Sequence, residues 1–292
     1  MKKYICLRDD DTCFNTSVEE LKKAYGKIIG EIPITLGVIP FVHGSLDVMN
    51  SFDDNKIPQL IEYKNKASAD DLTKFYTTHP VGANKELVSF LMPYIKGGKI
   101  EIAQHGFGHG YNERGPELFS NEIGFEALRD GKQYLEKVFE TKVETFIPPS
   151  NTIDVTCVSY LRRLGFKLFS SGTIVKDNTT IPTHDIRSML RSIQRRIERK
   201  KPLPMKKNYG IYQFRSYTLN SFDDPDAILQ KVIKELKESG FSAIGSHYTC
   251  FVDNNYQKKY YELLETICEM EDVVFVTARE YASLIANKFK LK

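Results

Sequence analysis

The chain has 292 residues, 41% hydrophobic and 27% charged, which is room for a sizeable core in one large soluble domain or two small ones. A net charge of +3 is too weak to argue for nucleic acid or a membrane as partner. Five cysteines without a CxxC pair fit reduced thiols better than a disulfide framework, and no stretch approaches the roughly 18–20 apolar residues of a membrane span.

The N-terminal "MKKYICLRDDD" holds only a four-residue apolar run, short for a signal peptide, so the expected location is cytoplasmic. "KYICLR" (3–8) reads as a strand, and Ser17 with Glu20 makes a capping-box pattern for a helix running to about Gly30. "IPITLGVIPFV" (32–42) reads as the next strand. Residues 55–65 and 84–96 look helical, within and after an irregular stretch around 43–83 that is expected to be an excursion on one face. "KIEIAQH" (99–105) is a strand ending in His105, residues 119–139 have helical spacing, and "VETFIPP" (143–149) is a strand stopped by two prolines. A helix over 153–164, a strand "FKLFSS" (166–171) and a basic helix over 183–201 follow. Then come a strand over 209–219, a helix over 224–239 ending at Gly240, and a strand "FSAIGSHY" (241–248). A helix over 256–270, a strand "DVVFVTA" (272–278) and a helix over 279–288 close the chain. About eight β/α units without a Gly/Ser-rich linker predict one domain over 1–292, built on a parallel sheet, open or closed into a barrel.

The polar residues of interest fall where these strands end. "RDDDT" follows the first strand, "QHGFGHG" the third and "PPSN" the fourth, and His247 ends a late one. In parallel β/α folds, ligands bind at the C-terminal strand ends, so these stretches should converge. Two imidazoles and a carboxylate suit Zn²⁺ or a similar divalent ion, with a position left for water. A metal would also make the crowded carboxylates intelligible. One would bind the ion, and a second could stay ionised beside it as a general base. HxxxH alone is a weak signal, and a DDD run alone is most often a solvated turn. Their shared polarity is what carries weight.

In these motifs the chain resembles the polysaccharide deacetylase family, the NodB-homology or carbohydrate esterase family 4 domain. "ICLRDDDT" is similar to its strand–T-F-D-D-G motif, with Asp10 and Asp11 as the D-D pair. "HGFGH" is similar to H-[ST]-x-x-H, with Gly106 at the hydroxyl position. "FIPPSN" keeps Pro149 of R-x-P-Y, and "IGSH" supplies the histidine of L-x-H. The resemblance implies a distorted (β/α)7-8 barrel with Asp10 as general base and Asp11, His105 and His109 as metal ligands. It implies His247 as general acid and backbone N–H groups near Pro149, Ser150 and Asn151 as oxyanion donors. The metal would be Zn first, with Co, Ni or Mn as alternatives.

The chain departs from the family in two places. The third-motif arginine is missing, and Arg8, two residues before Asp10 and so on the same side of a strand, could stand in for it. The family's pocket tryptophan is absent, and Tyr111 or Tyr248 could line the pocket instead. The "RDDD…HGFGH…PPSN" variant looks closest to members associated with surface-polysaccharide synthesis.

Other candidates have plainer readings. Asp9 alternates away from Asp10 and suits a structural acceptor. His43 and His79 read as loop residues, His184 as a helix-start residue, and Cys13 and Cys250 as small buried thiols. The stripe "RRIERKK" (195–201) reads as a solvated helix face, with a grip on phosphate of an anionic sugar as the alternative. The expected activity is metal-dependent removal of an N-acyl group, acetyl first, from an amino sugar or glycan. Given the expected location, the substrate would be nucleotide- or lipid-linked. The alternatives are a non-catalytic binding protein of the same fold and a hydrolase of esters or non-sugar amides. No oligomeric state follows from the sequence.

Overall fold

The computed structural model describes residues 2–52, 56–119, 123–170, 172–176, 179, 181–198, 203–220, 223–251 and 254–291. Ten strands form its main sheet: β1 (Lys3–Thr12), β2 (Ile34–Val38), β3 (Ile100–His105), β4 (Thr145–Ile147), β5 (Leu168–Ser170), β6 (Met205–Asn208), β7 (Ile211–Phe214), β8 (Tyr217–Leu219), β9 (Phe241–His247) and β10 (Val273–Val276). Their hydrogen-bonded order is β6-β7-β5-β4-β3-β2-β1-β9-β8, with β10 also on β1. Only β6 runs antiparallel to its neighbour. One edge of β1 is taken by β9, so β10 (at Lys3–Cys6) and β2 (from Arg8) share the other. Nearly every residue of β1, β2, β3 and β9 is buried, as expected of parallel strands covered on both faces.

Among the described residues the ladder does not close on itself. β7 pairs with β5 and β8 pairs with β9, and only Arg215 and Ser216 separate β7 from β8. One bent segment therefore links the edge strand β8 to β7, the neighbour of the opposite edge strand β6, through the chain instead of through hydrogen bonds. This is the distortion in the expected (β/α) barrel.

Helices fill the connections: α1 (Val18–Tyr25), α2 (Ser45–Asn50), α3 (Lys56–Lys66), α4 (Ala69–Tyr76), α5 (Lys85–Lys96), α6 (Phe125–Val138), α7 (Val155–Arg163), α8 (Ile186–Ile197), α9 (Pro225–Glu238), α10 (Asn254–Cys268) and α11 (Ala278–Phe289). The α1 capping box forms as its sequence predicts. Ser17 Oγ accepts from Glu20 N at 3.1 Å, and Glu20 Oε2 accepts from Ser17 N at 2.9 Å. Leu21, Ala24 and Tyr25 turn its buried face to the core, which continues through Leu36, Ile102, Phe146, Phe169 and Tyr260.

Two expectations are corrected. The strand expected over 32–42 breaks at Pro40, which has no N–H to give a ladder. Past it, Phe41–His43 leaves the sheet and pairs antiparallel with Thr78–Pro80. The stretch 43–83, expected to be irregular apart from a helix over 55–65, carries that helix as α3 and two unexpected ones, α2 and α4. Their Met49, Leu60 and Phe75 form a small core of their own. Residues 53–55 of that stretch, 120–122 of the helix expected over 119–139, and 199–201 of the basic run lie outside the described residues.

Candidate functional site

Regular strand alternation would send Asp10 and Asp11 to opposite faces. The structure breaks the alternation at that point. Asp9 lies opposite Leu36 and Thr12 opposite Val38, so two residues of β1 face the single residue between them on β2. This is a β-bulge. Asp11 takes the left-handed conformation, φ +69°, which swings its carboxylate round to the side of Asp10. Eight non-glycine residues among those described have positive φ. Four of them are Asp11, His109, Ser150 and Asn151, so the strained backbone gathers at the strand ends that sequence marks.

Asp11 is the hub. Its Oδ1 lies 3.0 Å from His105 Nε2 and 3.4 Å from His109 Nε2, and its Oδ2 lies 3.8 Å from His247 Nε2. Burial opposes ionisation of Asp11, but the three imidazoles around it hold its carboxyl well below the usual range. Burial also opposes a proton on His105. The hydrogen bond to Asp11 and the charges of Asp10 and Asp11 override this and raise its pKa. His109 responds to burial first, and its pKa drops to about 4.

Asp10 has a different setting. Its Oδ2 is 3.1 Å from Arg8 Nη2, with both side chains almost fully buried. Arg8 Nη2 also donates to Asn151 Oδ1 at 2.8 Å, and Nη1 donates to Ser170 Oγ at 2.8 Å and Ser170 O at 3.2 Å. The guanidinium is held at both ends, and a Cβ on Gly245 would sit 2.7 Å from its Nε. Asp10 Oδ1 is buried and has no hydrogen-bond partner among the described residues. Asp9 points the other way, as alternation predicts. Its Oδ2 accepts from Tyr25 Oη and from Ser246 Oγ, and burial pushes its pKa well above the usual carboxylate range.

The loop after β3 is clamped from two sides. Phe41 N and His43 N donate to Phe107 O (3.1 Å) and Gly108 O (2.8 Å). From the other side, Glu117 Oε1 accepts from Phe107 N at 2.6 Å, and its Oε2 accepts from Gly108 N at 3.1 Å and Gly110 N at 3.2 Å. A Cβ on Gly106, which has φ +65°, would lie 2.1 Å from Glu117 Oε1. The glycine at the expected hydroxyl position is therefore the space that this carboxylate fills. Sequence reading did not single out Glu117. The available signal was a run of loop N–H groups needing acceptors, followed by one acid between Pro116 and Leu118.

Of the other expected residues, Tyr111 reaches the site: its ring lies 5.6 Å from that of His109, and its hydroxyl is 2.7 Å from Ser150 Oγ. Tyr248 does not. It is 6% exposed in the core, with its hydroxyl 2.9 Å from Thr16 Oγ1, because the chain turns into a 3-10 helix directly after His247. Pro149 has no N–H, and Asn151 N donates to Pro148 O at 3.0 Å, so of the three oxyanion candidates only the Ser150 amide remains. His43 bonds Ser45 at 2.7 Å, and His79 stacks on Phe14, both in the excursion. Burial raises the pKa of the Cys13 thiol to about 11, as for an inert core cysteine.

The donor set fits a divalent metal. The ligand atoms of Asp11, His105 and His109 all lie within 4.8 Å of one another. Metal bonds of 2.0–2.2 Å in a tetrahedral site put ligand atoms about 3.4 Å apart, close to the distances from Asp11 Oδ1. His105 Nδ1 lies 2.8 Å from Ile147 O, which places its proton on Nδ1 and leaves Nε2 as the ligand atom.

No known protein family matches the chain as a sequence, and no curated protein does. Solved structures do match. A polysaccharide deacetylase described as putative, from Mycobacterium smegmatis, is 13% identical with a TM-score of 0.50, over 100% of this chain and 92% of that one. A family 4 acetyl xylan esterase from Clostridium thermocellum, in complex with a cobalt ion, is 11% identical with a TM-score of 0.50, over 99% and 93%. The α-amylase AmyC from Thermotoga maritima is 11% identical with a TM-score of 0.52, over 97% and 75%. At these identities the likeness is one of fold.

Proposed function

From a chain that has the polysaccharide deacetylase fold, we propose a metal-dependent hydrolase that removes an N-acyl group, acetyl first, from an amino sugar. The observation that carries this is the buried, unpartnered Oδ1 of Asp10 beside an Asp11–His105–His109 cluster. The fold supports a carbohydrate substrate by analogy, since the three neighbours above are by name carbohydrate-active proteins.

Asp11, His105 and His109 would hold the ion, Zn²⁺ or Co²⁺, whose chemistry would be to acidify water and polarise the acyl oxygen. Asp10 would take a proton from the attacking water at Oδ1, while Arg8 keeps the carboxylate oriented through Oδ2. The Ser150 N–H would donate to the developing oxyanion. His247 Nε2, across Asp11 from the two other histidines, would deliver the proton that the departing amine nitrogen needs. Water and amide thereby become carboxylate and amine. Tyr111 would line the mouth beside His109.

The test is acetate release from N-acetylated amino sugars, free, nucleotide-linked and lipid-linked, with O-acetylated xylan in parallel. Asp10→Asn should keep its metal, measured by elemental analysis, and lose about 10²–10⁴-fold in turnover. Release from the xylan alone would replace the amide reading with an ester one. No turnover on any substrate with Zn²⁺ or Co²⁺, metal being bound, would leave a binding protein.

A further inference from the structure

Helix α8 presents an apolar face that none of the described residues covers. Ile186, Met189, Leu190, Ile193 and Ile197 are 68%, 46%, 56%, 47% and 77% exposed. They stand at i, i+3, i+4, i+7 and i+11, which at about 100° per residue places all five within an arc of about 100°. Ser188, buried at 6% exposure, marks the side turned to the protein, about 150° from the middle of that arc. The stripe therefore points outward. Ile181, just before the helix, adds a sixth large aliphatic at 73% exposure.

The helix is firmly attached. Asp185 caps it by accepting from Arg187 N at 2.8 Å, and the other oxygen of the same carboxylate accepts from Tyr209 N at 3.1 Å. Asn208 Oδ1 accepts from Asp185 N at 2.9 Å, and α8 packs on β6. The exposed stripe belongs to an anchored element of the fold.

Charge selects the occupant. Between Ile186 and Ile197 there are four arginines and no acid. Arg187 borders one edge of the apolar arc and Arg196 the other, both exposed, with Arg191 beyond Arg187. A second copy of this helix, face to face, would bring arginine borders against arginine borders. An anionic lipid surface complements both parts, because the aliphatic stripe enters the acyl boundary and the flanking guanidinium groups reach the headgroup phosphates. We propose that α8 docks the protein on anionic bilayers, lying in the interface without spanning it. The net charge of +3 hides this because the basic residues here are local.

The inference stands apart from the hydrolase reading, and its test separates the two. Full-length protein is mixed with vesicles of phosphatidylcholine alone or with phosphatidylglycerol, and bound protein is measured by flotation. The expected result is binding to the anionic vesicles, weakened by salt and at least about tenfold weaker on neutral ones. Leu190→Glu with Ile193→Glu should abolish it, and Arg187→Gln with Arg196→Gln should weaken it about tenfold or more. These positions are exposed, so the unfolding temperature should not move. Asp10→Asn should float like the wild type. Three results overturn the proposal: no flotation with anionic vesicles, equal flotation with both kinds, or self-association, with no flotation, that Leu190→Glu with Ile193→Glu removes. The last assigns the face to a second copy. Capture of an acidic protein without vesicle binding overturns it as well.

Discussion

Arg8 and Asp10 can pair because they stand two positions apart on a strand, and that spacing returns both side chains to one face. Arg8→Met would leave a buried carboxylate without its cation. The expected loss is about 3–5 kcal/mol, read from denaturant unfolding. Arg8→Lys keeps the charge but cannot bond Asp10, Ser170 and Asn151 at once, so turnover should fall further than stability does. Wild-type stability in Arg8→Met would show that the pair does not hold the site. This pairing was legible in the sequence, as were Asp11, His105, His109 and His247, because donor residues at strand ends carry their chemistry in their identity. The aim of Asp11 was not legible, since a bulge with an aspartate in the left-handed region leaves no glycine to mark it. Tyr248 was misplaced because it was chosen as an aromatic next to His247 to replace the absent tryptophan, and the strand ends at His247.

At the scale of elements, His105 and His109 depend on a loop whose backbone is bonded on both sides. Glu117→Gln replaces a carboxylate that accepts three N–H groups with a single amide oxygen. Metal affinity should fall about 10–100-fold, measured by competition with a chelating dye, while helix content stays unchanged. Unchanged affinity would mean that the strand Phe41–His43 alone positions the loop. The alternating β/α pattern was readable from apolar runs and caps, which is why each of the eight expected strands has a counterpart in the sheet; β6 was not expected, and the one strand expected over 209–219 is two, β7 and β8. The excursion was read poorly. α2 and α4 have six and eight residues, too few turns for periodicity to register, and only tertiary contact holds helices that short. Pro40 carried a visible warning, and the apolar residues around it masked it.

For the whole molecule, metal uptake and folding should be linked through pH. The pKa of His105 is raised in the fold, so protonated His105 stabilises the metal-free chain below about pH 6.5, and this stabilisation is lost as pH rises through the raised value. Metal needs neutral imidazole, so the gain in Tm on adding Zn²⁺ should grow over the same rise. His109, with a pKa of about 4, is already neutral there and should not contribute to the slope. Thermal unfolding with and without Zn²⁺ from about pH 5.5 to 8 tests this. A gain that is flat with pH would exclude His105 as a ligand.

The place of β1 in the sheet has a consequence for synthesis. The strand bearing Asp10 and Asp11 is made before β9 and β10, yet Asp10 lies opposite His247 and Lys3 opposite Val273. At ribosomal speeds those partners emerge on the order of ten to fifty seconds later. Until then β1 has an open edge, and its carboxylates wait for neighbours not yet translated. A nascent chain stalled before β9 should therefore lack metal and remain protease-sensitive near its first strand. Release of the full chain should bring metal binding and resistance together.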